Sequence, residues 1–300
     1  MNPPESLCQP QSRVRGGSAV GARLCLVALL AGIFFSLMAI SVRAAASDVE
    51  LLPNWSQGQT LHYRITQIRR ATVGDEPPWE QRARGDVRID VLEAGANGYL
   101  VAWTAGELTR DDAPAARETV ESTVGSKARV LLRIEQRGTV EGAENWKEIQ
   151  ADPKGRAACE EAGIFFMALG RRYRLGRSLS FAGKLPDPIG GDETLPCHGR
   201  WLLKRVGRDG IAVVDWTQSV STEGMRESIE SEAKMLAARF GKSTPRFRFR
   251  NLTIEDHAQF NVDVSSGWPQ SLIHTRTVHS MTSSREEKRE AVLQFTPLAK

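Results

Sequence analysis

Two stretches written to the same plan limit the folds open to this chain more than anything else in it. "ANGYLVAW" (Ala96 to Trp103) and "RDGIAVVDW" (Arg208 to Trp216) each set a polar residue and a glycine before an apolar run that ends on Trp, and Thr follows in both. Asn-Gly or Asp-Gly opening into β-branched and aromatic residues is a hairpin signal. The likeness extends in both directions. "GQTLHY" at Gly58 answers to "GRSLSF" at Gly176, and "RGDVRIDVLEAGANG" answers to "HGRWLLKRVGRDG". Further on, "LLRIEQRGTVEG" answers to "QFNVDVSSGWPQ". Any β-meander repeats strand, turn and strand, but agreement of order across three elements asks for more. The expected architecture is therefore mostly β or α+β: two related antiparallel β-rich halves, 55–170 and 172–298, forming curved sheets or a partial barrel with one or two short helices each.

The periodicity supports strands. Leu61, Tyr63 and Ile65 alternate with His62, Arg64 and Thr66, and Val87, Ile89 and Val91 alternate with Asp86, Arg88 and Asp90. Period two makes a strand with one apolar and one polar face. Such a face must be hidden, so the halves are expected to pack together or to curl round a common core. The period lengthens near 146–169, where short helical stretches break at Pro153 and stop at Gly170. A second helix is predicted over 225–240, where Met225, Ile229, Ala233, Leu236 and Phe240 fall three and four apart. Helix and strand do not alternate in βαβ rhythm, which argues against a parallel sheet.

Charge excludes one class of partner. The chain carries a formal +4, but four arginines and one glutamate before Ser47 hold +3 of it, leaving 36 basic and 35 acidic side chains beyond. A nucleic-acid binder needs a basic stripe, and the nearly balanced body has none. The first 46 residues read as a signal peptide. Arg13, Arg15 and Arg23 precede the uncharged run Leu24 to Ile40, and "SVRAAAS" supplies small residues for cleavage after Ala44 or Ala46. Periplasmic or extracellular export is expected, with an uncleaved N-terminal anchor as the alternative, since the run just reaches bilayer-spanning length. Any membrane contact would then come through the leader alone. In an oxidising compartment two remaining cysteines usually pair, so Cys159 and Cys197 are expected to form a structural disulfide.

No reactive constellation is assembled in the letters. There is no phosphate loop and no nucleophile elbow, and Ser231 of "SEAK" falls on the charged face of the 225–240 helix. His62, His198, His257, His274 and His279 lack metal-ligand spacing; five residues apart on a strand, His274 and His279 face opposite ways. "EDH" at Glu255 to His257 reads as a polar, turn-like cluster. The paired acids Asp111–Asp112, Glu160–Glu161 and Glu286–Glu287 read as solvated surface. Trp103 and Trp216 are expected in the core, whereas Trp55, Trp79 and Trp268 lie near turns where they could line a ligand or partner site. No catalytic, cofactor-binding or metal residue is assigned and no cofactor is expected. The function expected is non-enzymatic: an exported binding protein with an apolar groove for a lipid or other hydrophobic ligand. The alternatives are an interaction scaffold with an envelope-protein partner and, least supported, a hydrolase with a dispersed site.

Overall fold

The structure is a computed structural model. It describes residues 48–111, 129–186, 194–220, 249–282 and 285–298. The proposed leader, the 225–240 helix, Asp112 and Ser231 lie outside the described residues.

The alternating stretches all form strands. The first series is β2 (Thr60–Val73), β3 (Trp79–Gly95), β4 (Gly98–Ala105), β6 (Arg129–Ile134) and β7 (Val140–Ala143), with the short β5 (Thr109–Arg110) beside β3. The second is β9 (Ser178–Pro186), β10 (Thr194–Val206), β11 (Ile211–Val220), β12 (Phe249–Asp263), β13 (Pro269–Thr282) and β14 (Glu286–Pro297). Each series is a meander in which chain neighbours pair antiparallel, and β14 pairs with β2 to join them. The result is one open path, β7-β6-β4-β3-β2-β14-β13-β12-β11-β10-β9. The halves thus meet edge to edge in a single sheet.

The two series share local detail. Ile89 pairs with Trp103 and Trp201 with Trp216; two residues after Ile89 and Trp201 each long strand has a register shift, after Val91 and after Leu203. The carbonyl just before each shift accepts from a glycine that precedes the neighbouring strand: Gly58 N–H to Val91 at 2.8 Å, Gly176 N–H to Leu203 at 3.0 Å. Both glycines have positive φ.

The sheet is rolled, and one proline shows it. The β6–β7 turn and the β12–β13 turn sit at the same end of strands five places apart in the sheet, roughly 24 Å on a flat surface at ~4.8 Å per strand. Yet a Cβ on Gly138 of the first turn would lie 2.9 Å from Pro53, and one on Gly267 of the second 3.0 Å from the same residue. Gly267 has φ +72°, and its added Cβ would stand 2.4 Å from the Leu52 carbonyl oxygen. Gly267→Ala is therefore expected to destabilise the protein by about 2 kcal/mol or more, because it adds a left-handed non-glycine to a backbone clash. Urea midpoints measure it; an unchanged midpoint contradicts the close approach.

Helices fill part of the inner face. After α1 (Trp146–Ala151), Asp152 caps α2 (Pro153–Phe166), its carboxylate accepting from the Lys154 and Gly155 amides at 3.0 and 3.2 Å. This satisfies two of the amides that a helix start leaves without partners. Gly170, at φ +74°, lets the chain leave the helical region and enter β8 (Arg171–Arg174), which pairs with β1 (Asp48–Leu51). On α2, Ala158, Ala162, Phe165 and Phe166 are buried. Phe165 meets Tyr63, Phe295 and Trp103 at ring separations of 4.9, 5.2 and 5.4 Å. Buried phenols find carbonyls, as they must: Tyr63 donates to Pro269, Tyr99 to Pro53 and Tyr173 to Ala168.

No disulfide joins Cys159 to Cys197, contrary to the sequence expectation. Cys159 is on α2 beside the main core, while Cys197 belongs to a separate cluster with Leu195, Val220, Leu252 and Ile254.

Candidate functional site

Strand register converts the sequence into rows across the inner face. One row runs Gln67, Leu293, His274, Ala258, Trp216, Trp201 over six strands. The next, two residues along, runs Arg69, Ala291, Arg276, Asp256, Gln218, Gly199. Beyond it Val278 faces Ile254, and Val220 faces Cys197, within the smaller apolar cluster. The inner face is therefore apolar under α2, polar along one row, and apolar again. Gly199 is required in that row: a Cβ there would lie 2.4 Å from the Phe181 ring and 2.5 Å from the Thr217 carbonyl oxygen.

Asp256 is the centre of the row. Its side chain is 1% exposed. One carboxylate oxygen accepts from Arg276 Nε at 2.8 Å and meets His274 Nε2 at 3.0 Å. The other accepts from Arg276 Nη2 and Gln218 Nε2, both at 3.4 Å. Burial pushes the Asp256 carboxyl up, but the His274 hydrogen bond and the Arg276 charge and hydrogen bonds outweigh it and hold the group below the usual aspartate value. Arg276 also reaches Glu160 of α2 at 3.3 Å, tying the helix to the sheet.

The neighbouring acid behaves differently. Glu161 is buried; one oxygen accepts from Gln67 Nε2 at 2.9 Å and the other has no partner among the described residues. Burial, helped by the Glu160 charge and opposed by Gln67 and Arg69, pushes its pKa up to about 8. At neutral pH it is a protonated acid in a dry setting. The sequence reading of Glu160–Glu161 as solvated surface is thus corrected: α2 turns Glu161 inward with Ala158, Ala162 and Phe165.

The other residues singled out in the sequence are placed as follows. Trp103 and Trp216 are in the core. Trp55 and Trp268 are buried as well, stacked on each other at 4.2 Å, and so line no open site; Trp79 is exposed. "EDH" lies within the long β12 and not in a turn, with Glu255 and His257 outward and Asp256 inward. His62 and His198 are exposed, and His279 bonds Glu286 at 2.8 Å. Asp111 pairs with Arg84 at 3.1 Å, while Glu286 is exposed and Glu287 pairs with Arg289. Among the described residues no three His, Cys, Asp or Glu side chains gather as a metal site would need. His274 meets Asp256 and the Trp216 ring.

Neither a family model nor a curated protein matches the chain. Among solved structures, one of lipid–protein interactions in lipovitellin superposes with a TM-score of 0.48 at 9% identity, over 81% of this chain and 25% of that one. DynF, from the dynemicin biosynthesis pathway of Micromonospora chersina, gives a TM-score of 0.21 at 8% identity, over 86% and 88% of the two chains. The chain spans about a quarter of the lipovitellin chain it matches.

Proposed function

We propose that the chain is an exported, non-enzymatic binding protein that holds a lipid or similar amphiphile against the inner face of its sheet. One observation carries this reading: a polar row, with Asp256 and His274 buried and Arg276 partly so, separates two apolar surfaces on a single face. The surface under α2 is filled by Phe165, Phe166 and the tryptophans around them; Leu195, Leu252 and Ile254 at the opposite end are buried too, and the ligand would enter beside them by opening that smaller cluster. An amphiphile suits that boundary. Its tail gains from apolar burial at about 25 cal/mol per Å², and its polar end meets donors already fixed in a low-dielectric setting. Export rests on the basic and apolar leader pattern of residues 1–46.

The test uses the full chain expressed with its leader and purified without detergent. Organic extraction followed by mass spectrometry is expected to recover an amphiphile at close to one per protein, and a fluorescent fatty acid is expected to bind the emptied protein saturably. An empty extract together with no saturable binding overturns the reading. Intact mass should show the loss of the leader from protein recovered outside the cytoplasm; retention of all 300 residues inside the cell overturns export.

A further inference from the structure

The outer face carries a depression that the inner-face reading does not use. It has a volume of about 380 Å³, and Arg64 and Thr66 of β2, Arg82 and Arg84 of β3, and Gln294 and Thr296 of β14 contribute to its lining. Register makes this a compact group. Thr66 lies opposite Arg84 on one side and Gln294 on the other, and Arg64, two residues along β2, lies opposite Thr296. Neighbouring strands are ~4.8 Å apart and same-face residues within a strand ~6.8 Å apart, so Arg64 and Arg84 both project beside Thr66. Arg82, opposite Ile68, completes the set.

Each guanidinium is steadied by one carboxylate that is not part of the lining. Arg64 Nε meets Asp86 at 3.1 Å, Arg84 Nη2 meets Asp111 at 3.1 Å, and Arg82 Nη2 meets Glu80 at 3.4 Å. A guanidinium has five N–H donors, so one carboxylate fixes its plane and leaves donors over. Arg82 Nε is buried and has no acceptor among the described residues. Threonine hydroxyls and the Gln294 amide add neutral donors around the same space.

We infer that this depression binds an oxyanion of the phosphate type, presented either by a free phosphate compound or by an anionic phospholipid headgroup. Three arginines that line one donor-rich hollow match the planar, bidentate recognition of such groups. The site is on the opposite face from Asp256 and stands independently of the proposed inner-face ligand.

Titration calorimetry with inorganic phosphate, and co-sedimentation with vesicles of phosphatidylcholine alone or mixed with phosphatidylglycerol, separate the two sources. Saturable binding of phosphate supports the free anion, and binding only to the mixed vesicles supports the headgroup. Losing two charge-assisted contacts in Arg82→Gln/Arg84→Gln should weaken whichever interaction is found by about tenfold or more. Arg88→Gln, an outer-face change outside the depression, should leave it unchanged. Thr66→Gln, which crowds the hollow and touches no ion pair, gives the same reading should the double variant not fold. Absence of binding to both probes, or an equal loss in Arg88→Gln, overturns the inference.

Discussion

Glu161→Gln is expected to flatten the dependence of stability on pH between about 5 and 9, and to make the variant the more stable protein at the alkaline end. The unfolded chain ionises this carboxyl near 4.5 and the folded protein near 8. Between those values the native state keeps a proton that the unfolded state has released, so stability falls as pH rises through the window and the loss is complete above the folded value. At 1.36 kcal/mol per pH unit the displacement corresponds to about 4–5 kcal/mol. Gln keeps the oxygen that accepts from Gln67, and its amide replaces the carboxyl oxygen that has no partner among the described residues. The protonated acid leaves one O–H without an acceptor there and the amide leaves two N–H donors, so the amide costs about 1 kcal/mol or more beyond the acid while the acid stays protonated. The wild type should thus be the more stable form at pH 5 and the less stable at pH 9. Urea unfolding across this range checks the crossing, and parallel curves would show that Glu161 does not titrate late.

Much of the sheet was legible in the sequence because period two is a strong constraint. Tyr63 and Ile65, or Phe260 and Val262, can hide together only on one face of a strand, and the break expected at Pro153 falls where α1 gives way to α2. The edge-to-edge joining of the two series through β2 and β14 was not legible, since alternation fixes which face is buried and leaves the neighbour open. The four-residue β1 and β8 are too short to show a period at all. The ionic row left a signal that composition obscured. Asp256 falls in phase between Ile254 and Ala258, His274 and Arg276 fall in phase between Leu272 and Val278, and Gln218 falls between Trp216 and Val220. Polar residues written into the buried phase of three strands mark an inner polar contact. Reading "EDH" as one local cluster merged the inward Asp256 with its outward neighbours. Glu161 was concealed for a related reason: next to Glu160 it looks like a charged surface, and only the helical phase of Ala158, Ala162 and Phe165 turns it inward.

Asp256→Ala should cost about 3–5 kcal/mol, because it leaves the Arg276 guanidinium and His274 beside a dry sheet face without the carboxylate that holds them. Removing the whole group is a different experiment. Asp256→Val, His274→Leu and Arg276→Met together take out every charge at once and fill the space with apolar atoms, and such replacements are commonly neutral or stabilising. Glu160 loses a partner but is 54% exposed and stays hydrated, whereas buried Gln218 loses its Asp256 acceptor, which takes back about 1–3 kcal/mol. The triple variant should still regain much of the stability that the single change removes. The acid limb separates them further. Asp256 titrates below its ordinary value, so its contribution is present at neutral pH and lost as pH falls through the depressed value; the triple variant should lack that loss. Stability alone does not say why the row is ionic, but binding does. If the row receives the polar end of an amphiphile, the stable triple variant must fail to retain the fluorescent fatty acid that the wild type binds. Should it bind equally well, the row serves the sheet alone, holding α2 through Glu160 and fixing the pairing of β11, β12 and β13.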